Sequence, residues 1–349
     1  MKNWVKGLIA LSVLVVIIII VVVVVLTTRT SPSPSTSVTI TNVYNGGGLH
    51  YEGPHWSATE NALYWVDMDD NKLFRYDYET NNVTSRSIGY GSVSLVVTVK
   101  DYPKLVLVTA RAEVYLMHWD DFQDDTSLRQ LSAIELGLPD NTANDGKVDA
   151  MGRLWFGSKG GMGNNMIPSD QATFYMLDQY NYQNPEIKLR PVSISNGIAW
   201  SGDNKLMFYI DSLTRAVEVF DFDLENAAIS NRRTIFDLRE HNITGGTDGM
   251  TIDTDDNLWL ALLNGWKVLK IDSKDGRLLE EYTLPAQKVA SVMFGGPDLS
   301  ILYVTTGRSQ LTQAQLDEQP EAGSIFAIEG TGAKGRPENQ FVFPDAANF

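Results

Sequence analysis

Short apolar runs, separated by turn-forming polar residues, dominate the chain from residue 38 onward. Six runs share one character: Ala62-Leu63-Tyr64-Trp65-Val66, Leu105-Val106-Leu107-Val108, Leu154-Trp155-Phe156-Gly157, Leu206-Met207-Phe208-Tyr209-Ile210, Leu258-Trp259-Leu260-Ala261 and Leu302-Tyr303-Val304-Thr305. Most are rich in aromatic and β-branched residues, the side chains that suit a pleated strand. The runs recur every ~42–53 residues, within the range of a propeller blade. Second strands of alternating pattern follow several of them, at Lys72–Tyr76, Ala216–Phe220, Lys267–Ile271 and Ser324–Ile328. Asp253-Thr-Asp-Asp-Asn257 and Lys274-Asp275-Gly276 supply turn chemistry around these strands. Helical periodicity is confined to one short turn at Thr312–Asp317. The pattern predicts an all-β, six-bladed β-propeller, a fold whose closure protects sheet edges. Val38-Thr39-Ile40 and Phe341-Val342-Phe343 are the strands expected to meet in one blade and close the ring.

The N-terminus has a different pattern. Lys2 and Lys6 precede an uncharged apolar run from Gly7 to Leu26. About 20 such residues suffice to cross a bilayer as a helix. The run is longer than a signal-peptide core, and no small-x-small cleavage motif follows it. This predicts a transmembrane signal anchor at residues 7–26 with a cytosolic tail at 1–6. Residues 27–37, with the sequence TSPSPSTS at their end, form a Pro/Ser-rich spacer, and residues 38–349 form the propeller. The expected topology is single-pass type II, with the propeller extracellular or luminal; secretion after cleavage is the alternative. Two N-x-T sequons, at Asn82 and Asn242, are candidate glycosylation sites on that side.

Charge and composition narrow the function. The net charge of −15 disfavours a nucleic-acid partner. With no cysteine, thiolate catalysis, disulfides and thiolate zinc sites are excluded. The chain contains no nucleophile elbow and no H-E-x-x-H. Gly330-Thr-Gly332-Ala-Lys-Gly335 matches a dinucleotide fingerprint but lacks the helix and acidic residue that such a site needs, and reads as a loop. Asp67-Met-Asp69-Asp70-Asn71 lacks the EF-hand's later spacing and reads as a hydrated turn.

A second regularity carries the candidate chemistry. Glu52-Gly53, Asn144-Asp145-Gly146, Asn196-Gly197 and Asp248-Gly249 each start about 11–13 residues before the aromatic of the next marker run. Asx-Gly pairs are ordinary turn chemistry. Four at one repeat offset instead suggest oxygen-bearing side chains converging on the propeller axis, where a hard cation would relieve their repulsion. Carboxylate and amide oxygens suit Ca²⁺, Mg²⁺ or Mn²⁺, and Zn²⁺ is an alternative. Ser92 or Ser94 and Ser291 stand near the same offset in the remaining two repeats. His55, beside Glu52, reads either as a packed strand histidine or as a substrate-binding group.

Glu52-Gly-Pro-His-Trp56, Asn144-Asp-Gly-Lys-Val-Asp149, Ser195-Asn-Gly-Ile-Ala-Trp-Ser201, Tyr209-Ile-Asp-Ser212, Asp248-Gly-Met-Thr-Ile-Asp253 and Phe294-Gly-Gly296 closely resemble the senescence-marker-protein/regucalcin/gluconolactonase family, including its luciferin-regenerating members. The resemblance spans about Tyr51 to Thr305. It implies that Glu52, Asn196 and Asp248 are divalent-metal ligands, Ca²⁺ being the expected ion. It also implies that Asp248 is the catalytic base and that Asn144 contacts substrate or bound water. Thr142 stands where many members carry a substrate-binding Arg, and Gly160-Gly161-Met162-Gly163 stands where an acidic substrate residue is expected, departures that disfavour a sugar-acid lactone. The expected function is a metal-dependent hydrolase of lactones, esters or phosphotriesters. The alternatives are a calcium-binding or recognition module without turnover, and oxyluciferin-recycling chemistry. Small-molecule substrates and the membrane are the expected partners, and the sequence gives no oligomeric state.

Overall fold

The structure is a computed structural model that describes residues 37–161 and 166–343. The described residues from Val38 onward belong to one compact unit. Its described residues form six four-stranded antiparallel sheets. Five are built from consecutive strands: β2–β5 (Tyr51–Ser57, Ala62–Asp67, Lys72–Asp77, Asn82–Ser87), β6–β9 (Val93–Thr98, Leu105–Ala110, Glu113–His118, Arg129–Ala133), β10–β13 (Thr142–Val148, Leu154–Lys159, Ala172–Leu177, Glu186–Val192), β14–β17 (Ser195–Trp200, Leu206–Asp211, Ala216–Asp223, Ala228–Asp237) and β18–β21 (Gly246–Ile252, Asn257–Leu263, Lys267–Asp272, Leu278–Thr283). The sixth sheet combines β22 (Lys288–Gly295), β23 (Ile301–Gly307) and β24 (Ile325–Glu329) with β1 (Thr39–Tyr44) from the other end of the chain. The six marker runs are the second strands of the six blades.

Adjacent blades touch through their first strands, which line the axis. Burial falls outward within each sheet: β2, β14 and β3 are buried throughout, whereas the fourth strands β5, β13 and β17 are mostly exposed. Six apolar clusters each join two neighbouring blades, so the core is a ring of inter-blade layers. The short helix α1 (Gln313–Glu318) follows β23; Thr312 caps it in a capping box with Gln315.

Ring closure differs from the sequence expectation in one partner. Thr39 and Ile40 pair with Glu329 and Ile328, so the N-terminal strand does close the sixth blade, but on β24 rather than on Phe341–Phe343. Pairing of β22–β24 leaves the outer hydrogen-bonding edge of β24 open, and β1 pairs with it. Phe341 instead makes a parallel bridge to Val99 and packs with Phe343 in the cluster between the second and third blades. No helix among the described residues is long and apolar enough to cross a membrane. The Gly7–Leu26 segment lies outside the described residues, as do Met162 and Gly163 of the Gly-rich loop.

Every first strand breaks register with its second strand near the same place: between Glu52 and His55, Val93 and Val96, Ala143 and Gly146, Asn196 and Ile198, Thr247 and Met250, and Val289 and Ser291. A bulge re-aims the side chains around it. The Asx-Gly pairs are therefore bulges of the innermost strands. A methyl group on Gly249 would come within 1.9 Å of Ser291 Oγ, and one on Gly197 within 2.7 Å of Met250 N and 2.8 Å of Asp248 O. Glycine at these two positions allows the fourth blade to approach the fifth, and the fifth the sixth.

Candidate active site

Glu52, Asn196 and Asp248 sit at the bulges of β2, β14 and β18, and all three are buried. Together with Asn144 of β10 they line a cavity of 370 Å³ on the propeller axis. Asn144 is held by its Nδ2, which donates to Ser195 O at 2.8 Å. Asn196 Nδ2 donates to Ser212 Oγ at 2.9 Å, which leaves Asn196 Oδ1 buried without a partner. A buried acceptor without a partner is costly unless a ligand fills its place.

The two carboxyl groups share this enclosed space. Burial first, and then the charges of Asp248 and Asp145, push Glu52 well above the usual carboxylate range. Burial and then Asp145 push Asp248 up to about 8. Like charges brought together out of water favour a proton or a cation between them. The donor set of two carboxylates and one orphaned amide oxygen fits a divalent metal.

His50 and Lys159 are two of the cavity-lining residues that the sequence pattern did not single out. His50, two residues before Glu52, brings a ring nitrogen within 4.8 Å of carboxylate oxygens of both Glu52 and Asp248. Its backbone is fixed by Asp67, whose carboxylate accepts from Leu49 N at 2.8 Å and from His50 N at 3.0 Å. Burial and the nearby positive charge of Lys159 lower its pKa to about 4. The two-residue spacing from Glu52 is a strand-period signal that could have found it. Lys159, at the end of β11, also lines the cavity, directly opposite Thr142 in the β10–β11 register. Burial lowers its pKa against the attraction of Asp69, Glu52 and Asp248. Only the hairpin register reveals it.

Two expected substrate-binding residues are placed elsewhere. Thr142 lies beside Lys159 but is not among the residues lining the cavity. His55 lines a separate pocket with Asp145, Lys147 and Glu338. There its Nε2 lies 2.9 Å from Thr98 Oγ1, and burial lowers its pKa to about 3. A register break separates Glu52 from His55, and the two side chains line different pockets. His55 is a packed strand histidine. Ser94 bonds to Thr109 Oγ1, Ser92 to Met68 O, and Ser291 N to Thr305 Oγ1, so these serines serve the inner-strand framework. The hydrated-turn reading of Asp67–Asn71 is refined: Asp67 is a buried anchor for the segment entering the site.

Residues 51–308 match the family model described as SMP-30/Gluconolactonase/LRE-like region. The chain is 35% identical over 291 residues to regucalcin from Sus scrofa, covering 82% of this chain and 92% of that one. A solved luciferin-regenerating enzyme superposes with a TM-score of 0.82 at 30% identity, covering 88% of this chain and all of that one. A calcium-binding protein, regucalcin, from Agrobacterium tumefaciens superposes with a TM-score of 0.77 at 22% identity, covering 86% of this chain and 96% of that one, a likeness of fold. With a six-bladed ring and the motif residues of its inner strands gathered at one axial cavity, the chain belongs to the SMP-30/gluconolactonase/LRE-like family.

Proposed function

We propose that this protein is a divalent-metal-dependent hydrolase of lactones or esters acting in the axial cavity. The observation that carries this reading is the burial of Glu52 and Asp248 together beside the orphaned Asn196 Oδ1 at the cavity wall. Family membership supports lactonase-type chemistry, and regucalcin is among the relatives. Glu52, Asn196 and Asp248 are the residues that would hold the ion. A bound divalent cation polarises a carbonyl oxygen and makes an adjacent water more acidic.

The chain's own residues supply the remaining steps. Asp248 accepts the proton of the attacking water as its oxygen bonds to the carbonyl carbon. The ring or ester C–O bond then breaks, and the same proton passes to the leaving oxygen, giving a hydroxy acid or an acid and an alcohol. Lys159 presents an ammonium toward the oxygens of the reacting group. Met68, Ile167, Ile194, Leu213 and Leu263 form an apolar wall, so a substrate with a substantial apolar body fits better than a polyhydroxylated one.

The test is turnover by full-length protein on a panel of aliphatic lactones and aryl esters, with and without a chelator. Activity is expected to vanish on chelation and to return with metal. In Asp248→Asn, kcat is expected to fall about 10²–10⁴-fold, because the amide keeps the shape but cannot accept the proton. Chelator-resistant turnover, or an Asp248→Asn variant as fast as the parent, contradicts the proposal. Tight metal binding with no turnover across the panel favours a binding module.

A further inference from the structure

One nitrogen in the cavity remains unexplained by an oxygen-only cation site. His50 Nε2 is buried and has no hydrogen-bond partner. The His50 ring stands at the carboxylates of Glu52 and Asp248, with ligating atoms of all three residues within 4.8 Å of one another. At its other nitrogen, Nδ1 lies 4.0 Å from Asp69 Oδ2. The backbone is held on both sides: Asp67 accepts from His50 N, and His50 O accepts from Met68 N at 3.0 Å. His50 also bridges to Gly307 of the sixth blade, so its position is set by two blades at once.

Metal-bound imidazoles commonly turn their second nitrogen toward a carboxylate, which fixes the tautomer and orients the ring. Asp69 is the carboxylate nearest Nδ1, at 4.0 Å, and would have to close by about 1 Å to make that bond. Ca²⁺ takes oxygen donors almost entirely. An imidazole nitrogen adds little to it, but binds Zn²⁺ and its first-row neighbours well. Two carboxylates, one amide oxygen and one imidazole nitrogen make a mixed donor set suited to such an ion.

We propose that His50 is a fourth metal ligand through Nε2, oriented by Asp69, and that it makes the site prefer a first-row transition dication such as Zn²⁺ over Ca²⁺. This rests on the metal site assigned above to Glu52, Asn196 and Asp248. The role is specific to nitrogen ligation and does not require that the enzyme's substrate be known.

The experiment is calorimetric titration of metal-free, full-length protein with Zn²⁺ and, separately, Ca²⁺. The parent, His50→Ala, Asp69→Asn and Asp248→Ala are compared. The parent is expected to bind Zn²⁺ more tightly than Ca²⁺. His50→Ala should lose Zn²⁺ affinity at least about 100-fold while Ca²⁺ affinity changes little, and Asp69→Asn should lose about 10-fold for Zn²⁺. Asp248→Ala should lose both ions. A Cu²⁺-loaded parent provides a readout independent of any substitution, since a bound imidazole gives nitrogen hyperfine structure in its electron paramagnetic resonance spectrum. Equal Zn²⁺ affinity in His50→Ala and parent, tighter Ca²⁺ than Zn²⁺ in the parent, or a Cu²⁺ spectrum without nitrogen coupling overturns the proposal and leaves the oxygen site standing. A parent that binds neither ion overturns the metal site itself.

Discussion

Glu52 and Asp248 are carboxyl groups that burial keeps protonated more readily than water would. The folded pKa of Asp248, about 8, lies above the ordinary 3.8, and Glu52 is shifted in the same direction. With both folded values raised, the metal-free folded protein binds protons that the unfolded chain releases. Their contribution to stability is therefore greatest below the ordinary carboxylate range and is lost as pH rises toward about 8. Above the range in which the buried His50 and His55 act in the opposite sense, melting of chelated protein should show the midpoint dropping by several degrees between about pH 7 and pH 8.5, about what a loss of 1–2 kcal/mol produces. Asp248→Asn should flatten that slope, and saturating divalent metal should remove it, because an ion bound only by the native state stabilises it by mass action. A midpoint independent of pH in the metal-free parent contradicts this account.

At the scale of elements, the site is a property of the inner-strand bulges. Four of the six bulges place Glu52, Asn144, Asn196 and Asp248 at the cavity, and Gly197 and Gly249 let the next blade close beside two of them. Gly197→Ala forces a methyl group against Met250 N and Asp248 O, atoms of the strand that presents Asp248. Backbone cannot swing aside as a side chain does, so about 1–3 kcal/mol of stability should be lost. Urea titration measures that loss as a lower midpoint, and metal affinity should weaken with it. A variant as stable as the parent shows that β14 and β18 pack less tightly than this. The hairpin turns below the site have their own logic. Asp149 and Asp253, each six residues before a marker tryptophan, accept from Trp155 Nε1 at 2.8 Å and Trp259 Nε1 at 3.1 Å. The Asx turns at these two positions thus also pin the large buried rings between blades.

For the whole molecule, joining β1 to β24 ties residues near the start of the propeller to residues near its end, so closure is a single antiparallel pairing. Asn82 and Asn242 are both exposed on the finished ring. We propose that the apolar run Gly7–Leu26 is an uncleaved signal anchor with the propeller on the luminal or extracellular side. Expression in a secretory host should then give membrane-bound protein whose mobility rises on endoglycosidase treatment, and whose Asn82→Gln/Asn242→Gln double variant is unaffected by the enzyme. N-terminal sequencing that begins near Thr27–Ser37 would show secretion after cleavage instead. Unglycosylated protein protected from protease inside sealed cells would show the opposite orientation.

The sequence by itself determined the blade count, because six aromatic-rich runs at a common spacing can bury their faces only against one another. It also singled out Glu52, Asn144, Asn196 and Asp248, because a repeat offset becomes a position around an axis. It could not separate neighbours across a bulge. Period-two alternation fails where register slips, and so His55 reads as close to Glu52 while the fold places it in a different pocket. Nor could it find Lys159, which reaches the cavity only because the β10–β11 hairpin places it opposite Thr142. The ring-closing partner was also a tertiary decision: Thr39–Tyr44 and Phe341–Phe343 are both strand-like, and the choice followed from which of them found the open edge of β24. Local pattern sets what each strand can bury, but contacts between segments distant in sequence decide which polar groups meet.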